Sequence, residues 1–116
     1  PWIGVEGVNV DSEIAEEMEL EEPRGFLVLD VSEGGPAAEA GLRGGSRTIQ
    51  WKGRQLQVGG DVIVEMGDKE VSGINDILTY LATETNVGEE VEITVIRDGE
   101  EVEVPVTLGA REDRED

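Results

Sequence analysis

Apolar and polar positions alternate along most of this chain, and the breaks in alternation divide it into short elements. Trp2, Ile3, Val5 and Val8 predict a first strand, interrupted by Gly4 and Gly7. Asp11 or Ser12 can cap a short helix reaching about Leu20, with Ile14 and Met18 one turn apart. Glu13, Glu16 and Glu17 form its other face. Acidic residues suit a first turn and not a last, so packing of Ile14 and Met18 must hold this helix. Phe26 to Val31 reads as a buried strand opened by Gly25. Pro36 suits the first position of a helix and Gly41 its exit, with barely one turn, Ala37 to Ala40, between them. Thr48 to Trp51 and Arg54 to Leu56 flank Lys52-Gly53, a pattern for a β-hairpin.

Asp61 to Met66 predicts a further strand, which Gly67-Asp68 turns into Lys69-Glu70-Val71. Ile74, Ile77, Leu78 and Leu81 stand at i, i+3, i+4 and i+7, so residues 74–84 form the best amphipathic helix, ended by Asn86 and Gly88. Val91, Ile93 and Val95 then alternate with Glu92 and Thr94. Asp98-Gly99 signals a type I′ turn, and Val102, Val104, Val106 and Leu108 return with Glu103 and Thr107 facing outward. Pro105 lacks an N–H and belongs at an edge. This order predicts a small α+β domain with a partly closed sheet and the long helix packed over it. Residues 110–116 read as an acidic tail or linker.

Composition narrows the chemistry. The 116 residues amount to one domain, and a start at Pro1 suggests a piece of a longer protein. With no Cys and no His, thiolate catalysis, disulfides, the usual zinc sites and a Ser-His dyad are excluded, leaving Ser12, Ser32, Ser46 and Ser72 without a histidine to activate them. No catalytic or metal-binding set and no cofactor is expected, and no calcium-loop spacing occurs. Acid pairs arising by chance leave a carboxylate-dyad enzyme as a remote alternative. The formal net charge is −19, from 28 acidic and 9 basic residues. Nucleic acid and anionic membranes are poor partners for such a surface. Self-repulsion of this size destabilises a small domain in dilute buffer and is tolerable at about 1 M salt, where the Debye length is near 3 Å.

Several local motifs together resemble the PDZ domains of HtrA-like (Do-like) serine proteases. Pro1-Trp2-Ile3-Gly4-Val5 is similar to that family's Tyr-Ile-Gly-Ile loop, with Trp2 where Tyr is usual. Arg24-Gly25-Phe26-Leu27-Val28 is similar to its basic-Gly-apolar strand entry. Gly35-Pro36-Ala37-Ala38-Glu39-Ala40-Gly41-Leu42 follows its Pro-Ala-x-x-Ala-Gly-Leu turn and helix. Gly60-Asp61-Val62-Ile63 and Arg97-Asp98-Gly99 complete the series. The resemblance covers residues 1–109. It departs at residues 43–59, a hairpin insert that could be a lid, a protease-docking contact or a neutral insertion. The acid-rich, lysine-poor composition resembles proteins of halophilic archaea.

The resemblance implies a PDZ-like partly open barrel or sandwich of five or six strands plus the extra hairpin, with one long and one or two short helices in the HtrA-type circular permutation. It implies a peptide site made by Trp2, Ile3, Gly4, Val5, Glu6 and Gly7 opposite Leu78, Leu81 and Ala82. There a carboxylate meets successive N–H groups and an apolar C-terminus or unfolded segment adds as a strand. The lesser alternative is that Trp2, Ile3 and Val5 are ordinary core residues beside a bulge at Gly4, and Leu78 is as readily a core residue as a groove one. Expected partners are such peptides and the protease domain of a parent that is exported or membrane-anchored, with homo-oligomers formed through that parent. The alternatives are an assembly domain using Trp51, a standalone PDZ adaptor, or the PDZ of another protease.

Overall fold

The computed structural model describes residues 1–110, so most of the expected 110–116 tail lies outside the described residues. Eight strands and three helices follow in the order β1 (Val5–Asn9), α1 (Ser12–Met18), β2 (Phe26–Val31), α2 (Pro36–Ala40), β3 (Arg47–Trp51), β4 (Arg54–Val58), β5 (Val62–Met66), β6 (Lys69–Glu70), α3 (Ile74–Glu84), β7 (Glu90–Arg97) and β8 (Glu100–Thr107). The main sheet runs β1-β2-β5-β7-β8, with β6 paired to β5 and all pairs antiparallel, while β3 and β4 form a separate ribbon. This is the small α+β architecture that the element order predicts.

Local chemistry accounts for the turns. Of the three two-residue hairpin turns, two hold positive φ at each central residue, Lys52 at 53° with Gly53 at 79°, and Asp98 at 55° with Gly99 at 82°, while Gly67-Asp68 does so only at Gly67, at 60°. Asp and Gly at such positions are the type I′ preference. Asp11 is the residue that caps α1, accepting the Ile14 N–H at 2.9 Å. Pro36 opens α2 and Gly41 closes it at φ 94°. Pro105 lies on β8, the outermost strand, where its missing N–H breaks no ladder bond.

Three expectations change. The first strand begins at Val5 and not at Trp2, because Gly4 turns the chain at φ 81° and Trp2 makes only an isolated bridge to Gly109. That bridge joins the end of the last strand to the opening loop. Thr94, expected to face outward, is buried. The reason is the third change: the sheet is covered on both faces. One core packs Phe26, Val28, Ile63, Ile93, Val95 and Val106 under Ile77 and Leu81 of α3. The other packs Leu27, Val62 and Val64 under Ile14 and Ala15 of α1 and under Trp51, Leu56 and Val58 of the insert.

The insert is therefore part of the core. Trp51 is 7 % exposed, and its Nε1–H donates to Asp11 Oδ2 at 3.0 Å. Lys52 sits 3.6 Å from the same carboxylate and over the Trp51 ring. Burial alone would raise the Asp11 carboxyl, but the Ile14 N–H, the Trp51 indole and Lys52 outweigh it and hold the group below its ordinary value.

Two motif residues form a buried clamp. Arg97 donates from Nε to Asp61 Oδ1 at 2.8 Å and from Nη2 to Oδ2 at 2.7 Å, with Asp61 only 1 % exposed. The Arg43 N–H also donates to Asp61, and Arg97 Nη2 reaches the Gly41 carbonyl at the end of α2. The hydrogen bond to Asp61 is the main reason the Arg97 guanidinium is held above its ordinary value.

Candidate functional site

The loop Trp2–Gly4 is fastened by its carbonyl groups. Trp2 exchanges bonds with Gly109 at 2.8 and 3.1 Å, the Ile3 carbonyl accepts from Ala37 N–H at 2.8 Å, and the Gly4 carbonyl accepts from Ser32 N–H at 2.8 Å. With every carbonyl turned inward, the N–H groups of Ile3 and Gly4 have no acceptor among the described residues. Ile3 is 3 % exposed. Buried amides rarely go unpaired, so this pair of donors is suited to an anion. Gly4 is required twice over. Its φ of 81° is strained for other residues, and a Cβ there would stand 3.3 Å from the Trp2 ring.

The adjoining strand has an open side. The Gly4–Ser32 bond and a 2.9 Å bond from Val10 N–H to the Gly25 carbonyl fix which residues of β1 face β2. Bonded and unbonded pairs alternate along an antiparallel ladder. The extra residue of the bulge opposite Glu6 and Gly7 is Leu29 on β2, so the alternation on β1 runs unbroken. Val5, Gly7 and Asn9 consequently turn their N–H and C=O away from the sheet, and among the described residues no strand lies beyond β1. Gly7 lacks a Cβ where one would meet the Leu27 carbonyl oxygen at 2.0 Å, so only glycine lets the two strands approach here.

The long helix forms the second wall. Ile74 shares a shallow depression of about 580 Å³ with Val5, Gly7, Asn9 and Phe26. Leu78 and Ala82 follow Ile74 at four-residue steps, which places all three on one strip of α3. Leu78 is 55 % exposed, an unusual state for a large apolar side chain in this chain. Leu81, expected beside the groove, is 6 % exposed and lies in the core with Ile77. Glu6 and Ala82 are exposed, and Val5 is half-buried against the core. Farther from β1, burial first, then Asp68, Glu84 and Glu89, raise the Tyr80 phenol.

Sequence reading missed Asn9 as a site residue. Its Oδ1 accepts the Ile74 N–H at 2.8 Å, tying the end of β1 to the start of α3. An Asn between Val8 and Val10 was the available signal, one residue past the expected strand. A cleft of about 410 Å³ on the opposite face is ringed by Glu19, Glu21, Glu22, Glu65 and Glu101, with its one basic lining residue, Arg24, already paired to Glu22 and Glu70. Its acidic rim opposes a carboxylate, so the loop and the β1 edge are the site with matching chemistry.

A PDZ domain family model matches residues 1–108. The chain is similar to the probable periplasmic serine endoprotease DegP-like of Hahella chejuensis, with 34% identity over 108 residues, which is 93% of this chain and 20% of that protein. The corresponding protein of Halomonas elongata is 32% identical over 108 residues, 93% of this chain and 19% of that one. The chain thus spans about a fifth of the length of these curated relatives. Among solved structures, the HtrA-type protease AlgW with tripeptide superposes at a TM-score of 0.72 with 29% identity, covering 97% of this chain and 32% of that one. The HtrA3 PDZ domain bound to a phage-derived ligand superposes at 0.66 with 16% identity, over 91% of this chain and 82% of that chain, a likeness of fold.

Proposed function

Because the chain belongs to the PDZ domain family, we propose that it captures the C-terminal residues of extended apolar segments by strand addition to β1. The observation that carries this reading is the pair of unclaimed N–H groups at Ile3 and Gly4, at the head of an unpaired strand edge. The terminal carboxylate takes those amides and the outward Val5 N–H. The ligand backbone pairs with Gly7 and Asn9, and its side chains meet Ile74, Leu78 and Ala82, with Leu81 beneath. An affinity near micromolar, about −8 kcal/mol, is expected of so short a strand.

The module serves an exported HtrA/DegP-like serine endopeptidase, recognising its substrates or regulating its protease domain. The DegP-like relatives and the AlgW likeness support this parentage. An assembly role resting on Trp51 loses its support, since that ring is spent inside the chain. The charge of −19 is adaptation to salt. The relatives named above are bacterial, and the archaeal origin rests on composition alone.

The test is binding of apolar peptides with free and with amidated C-termini, in about 2 M salt for strong screening. Loss of binding on amidation supports carboxylate capture. Equal binding of both forms refutes it.

A further inference from the structure

The walls of the groove are joined at one end by a side chain. Asn9 Oδ1 holds the Ile74 N–H at 2.8 Å, and Asn9 is the last residue of β1. Gly73, just before α3, has φ −176°, extended backbone open to any residue. Its lack of a side chain therefore has no conformational cause. A Cβ at Gly73 would stand 2.9 Å from Asn9 Oδ1, 3.0 Å from Cγ and 3.1 Å from Nδ2. The vacancy at Gly73 is occupied by the Asn9 amide, so the two residues form one device.

We propose that the Asn9–Gly73 bridge is an end-stop that limits side-chain reading to the last few residues of a bound peptide. The inference rests on the strand-addition reading above. Val5, Gly7 and Asn9 alternate along one edge and share one face, and Val5 packs on the α3 side. Ligand residues directly opposite them send their side chains to that same face. The last residue then lies over Val5, and the third from the end lies over Gly7, where the floor is the Phe26 ring. The fifth from the end lies over Asn9, where the floor is the amide bridging to α3. Its side chain is turned upward into solvent and goes unread. Asn9 acts here as a positioning residue, setting the length of the groove.

The test uses the whole chain and dye-labelled hexapeptides with a free C-terminal Val, alanine elsewhere, and Gly, Ala, Leu or Trp fifth from the end. Wild-type affinities across the four should agree within about twofold, because no apolar area is buried at that position. In Asn9→Ala, and separately in Gly73→Ala, Leu and Trp should bind roughly five- to tenfold tighter than Gly, as a side chain gains a floor to bury against. A groove that is merely loosened would weaken all four peptides alike, which overturns the end-stop. A wild type that already discriminates at that position also overturns it, even if one variant fails to fold. A wild type that binds none of these peptides removes the strand-addition reading, and the inference falls with it.

Discussion

Replacing Trp51 by Ala tests whether the 43–59 insert is structural. Trp51 is 7 % exposed and packs with Ile14, Leu27, Val58 and Val62 in the second core. Truncating a buried aromatic to Ala costs about 3–5 kcal/mol. Losing the Nε1–H donor to Asp11 leaves a partly exposed carboxylate with its cap and Lys52 still in place, so that part of the cost is small. Against a total stability of about 5–15 kcal/mol, the variant should lose about a fifth or more. Its Tm should fall by roughly 10–20 °C. Urea denaturation followed by circular dichroism is the assay, since urea leaves ionic strength constant. The groove lies on the other face of the sheet, so peptide affinity at a temperature where both proteins are folded should be unchanged. A stability loss below about 1 kcal/mol would refute the structural role and return the insert to a peripheral decoration.

Gly4→Ala should keep the fold at a cost of about 1–2 kcal/mol, given φ 81°, while abolishing measurable carboxylate-dependent binding; unchanged binding would detach the loop from the site. Arg97→Ala strands the buried Asp61 carboxylate and should destabilise by about 3–5 kcal/mol in urea titration, with Arg97→Lys intermediate because it loses the bidentate geometry. Asp11 has a depressed folded-state pKa, so its contribution is present above the unfolded value of about 3.9 and is lost as pH falls through the lower folded value. The stability gap between wild type and Asp11→Ala, about 1 kcal/mol at pH 7, should therefore close in acid; a gap that widens as pH falls contradicts the sign. Peptide affinity should rise from dilute buffer toward molar salt as repulsion from the net charge of −19 is screened, and a steady decline in a salt titration would contradict that.

Legibility followed periodicity and turn chemistry. The stripe Ile74, Ile77, Leu78, Leu81 places α3 at Ile74–Glu84, and Lys52-Gly53, Gly67-Asp68 and Asp98-Gly99 mark the three tight hairpins. Alternation fails where burial depends on a partner distant in the chain. Thr94 reads as a solvent position because nothing local announces that Trp51, Leu56 and α1 cover that face. The Asp61–Arg97 clamp was visible as two fragments of motif, and pairing across 36 positions is a tertiary fact. Leu78 and Leu81 carry the same stripe, and only the helix's rotation over the sheet separates an exposed residue from a core one. Asn9 was hidden for the same reason, since its partner lies 65 residues away.

The distribution of cations explains why a backbone nest suits this acidic chain. Arg24, Arg47, Lys52 and Arg97 are engaged with Glu22, Glu17, Asp11 and Asp61, and no salt bridge among the described residues involves residues 1–7. A carboxylate arriving at the loop would meet the amide dipoles of Ile3 and Gly4. Amide donors act at hydrogen-bond contact, within the roughly 3 Å screening length of molar salt, whereas attraction from a lysine held farther off is screened. The same salt suppresses the repulsion that the glutamates impose on an incoming anion. Capture by fixed N–H groups and an acidic surface are therefore compatible at high ionic strength and opposed at low, which ties the chemistry of the loop to the composition of the whole chain.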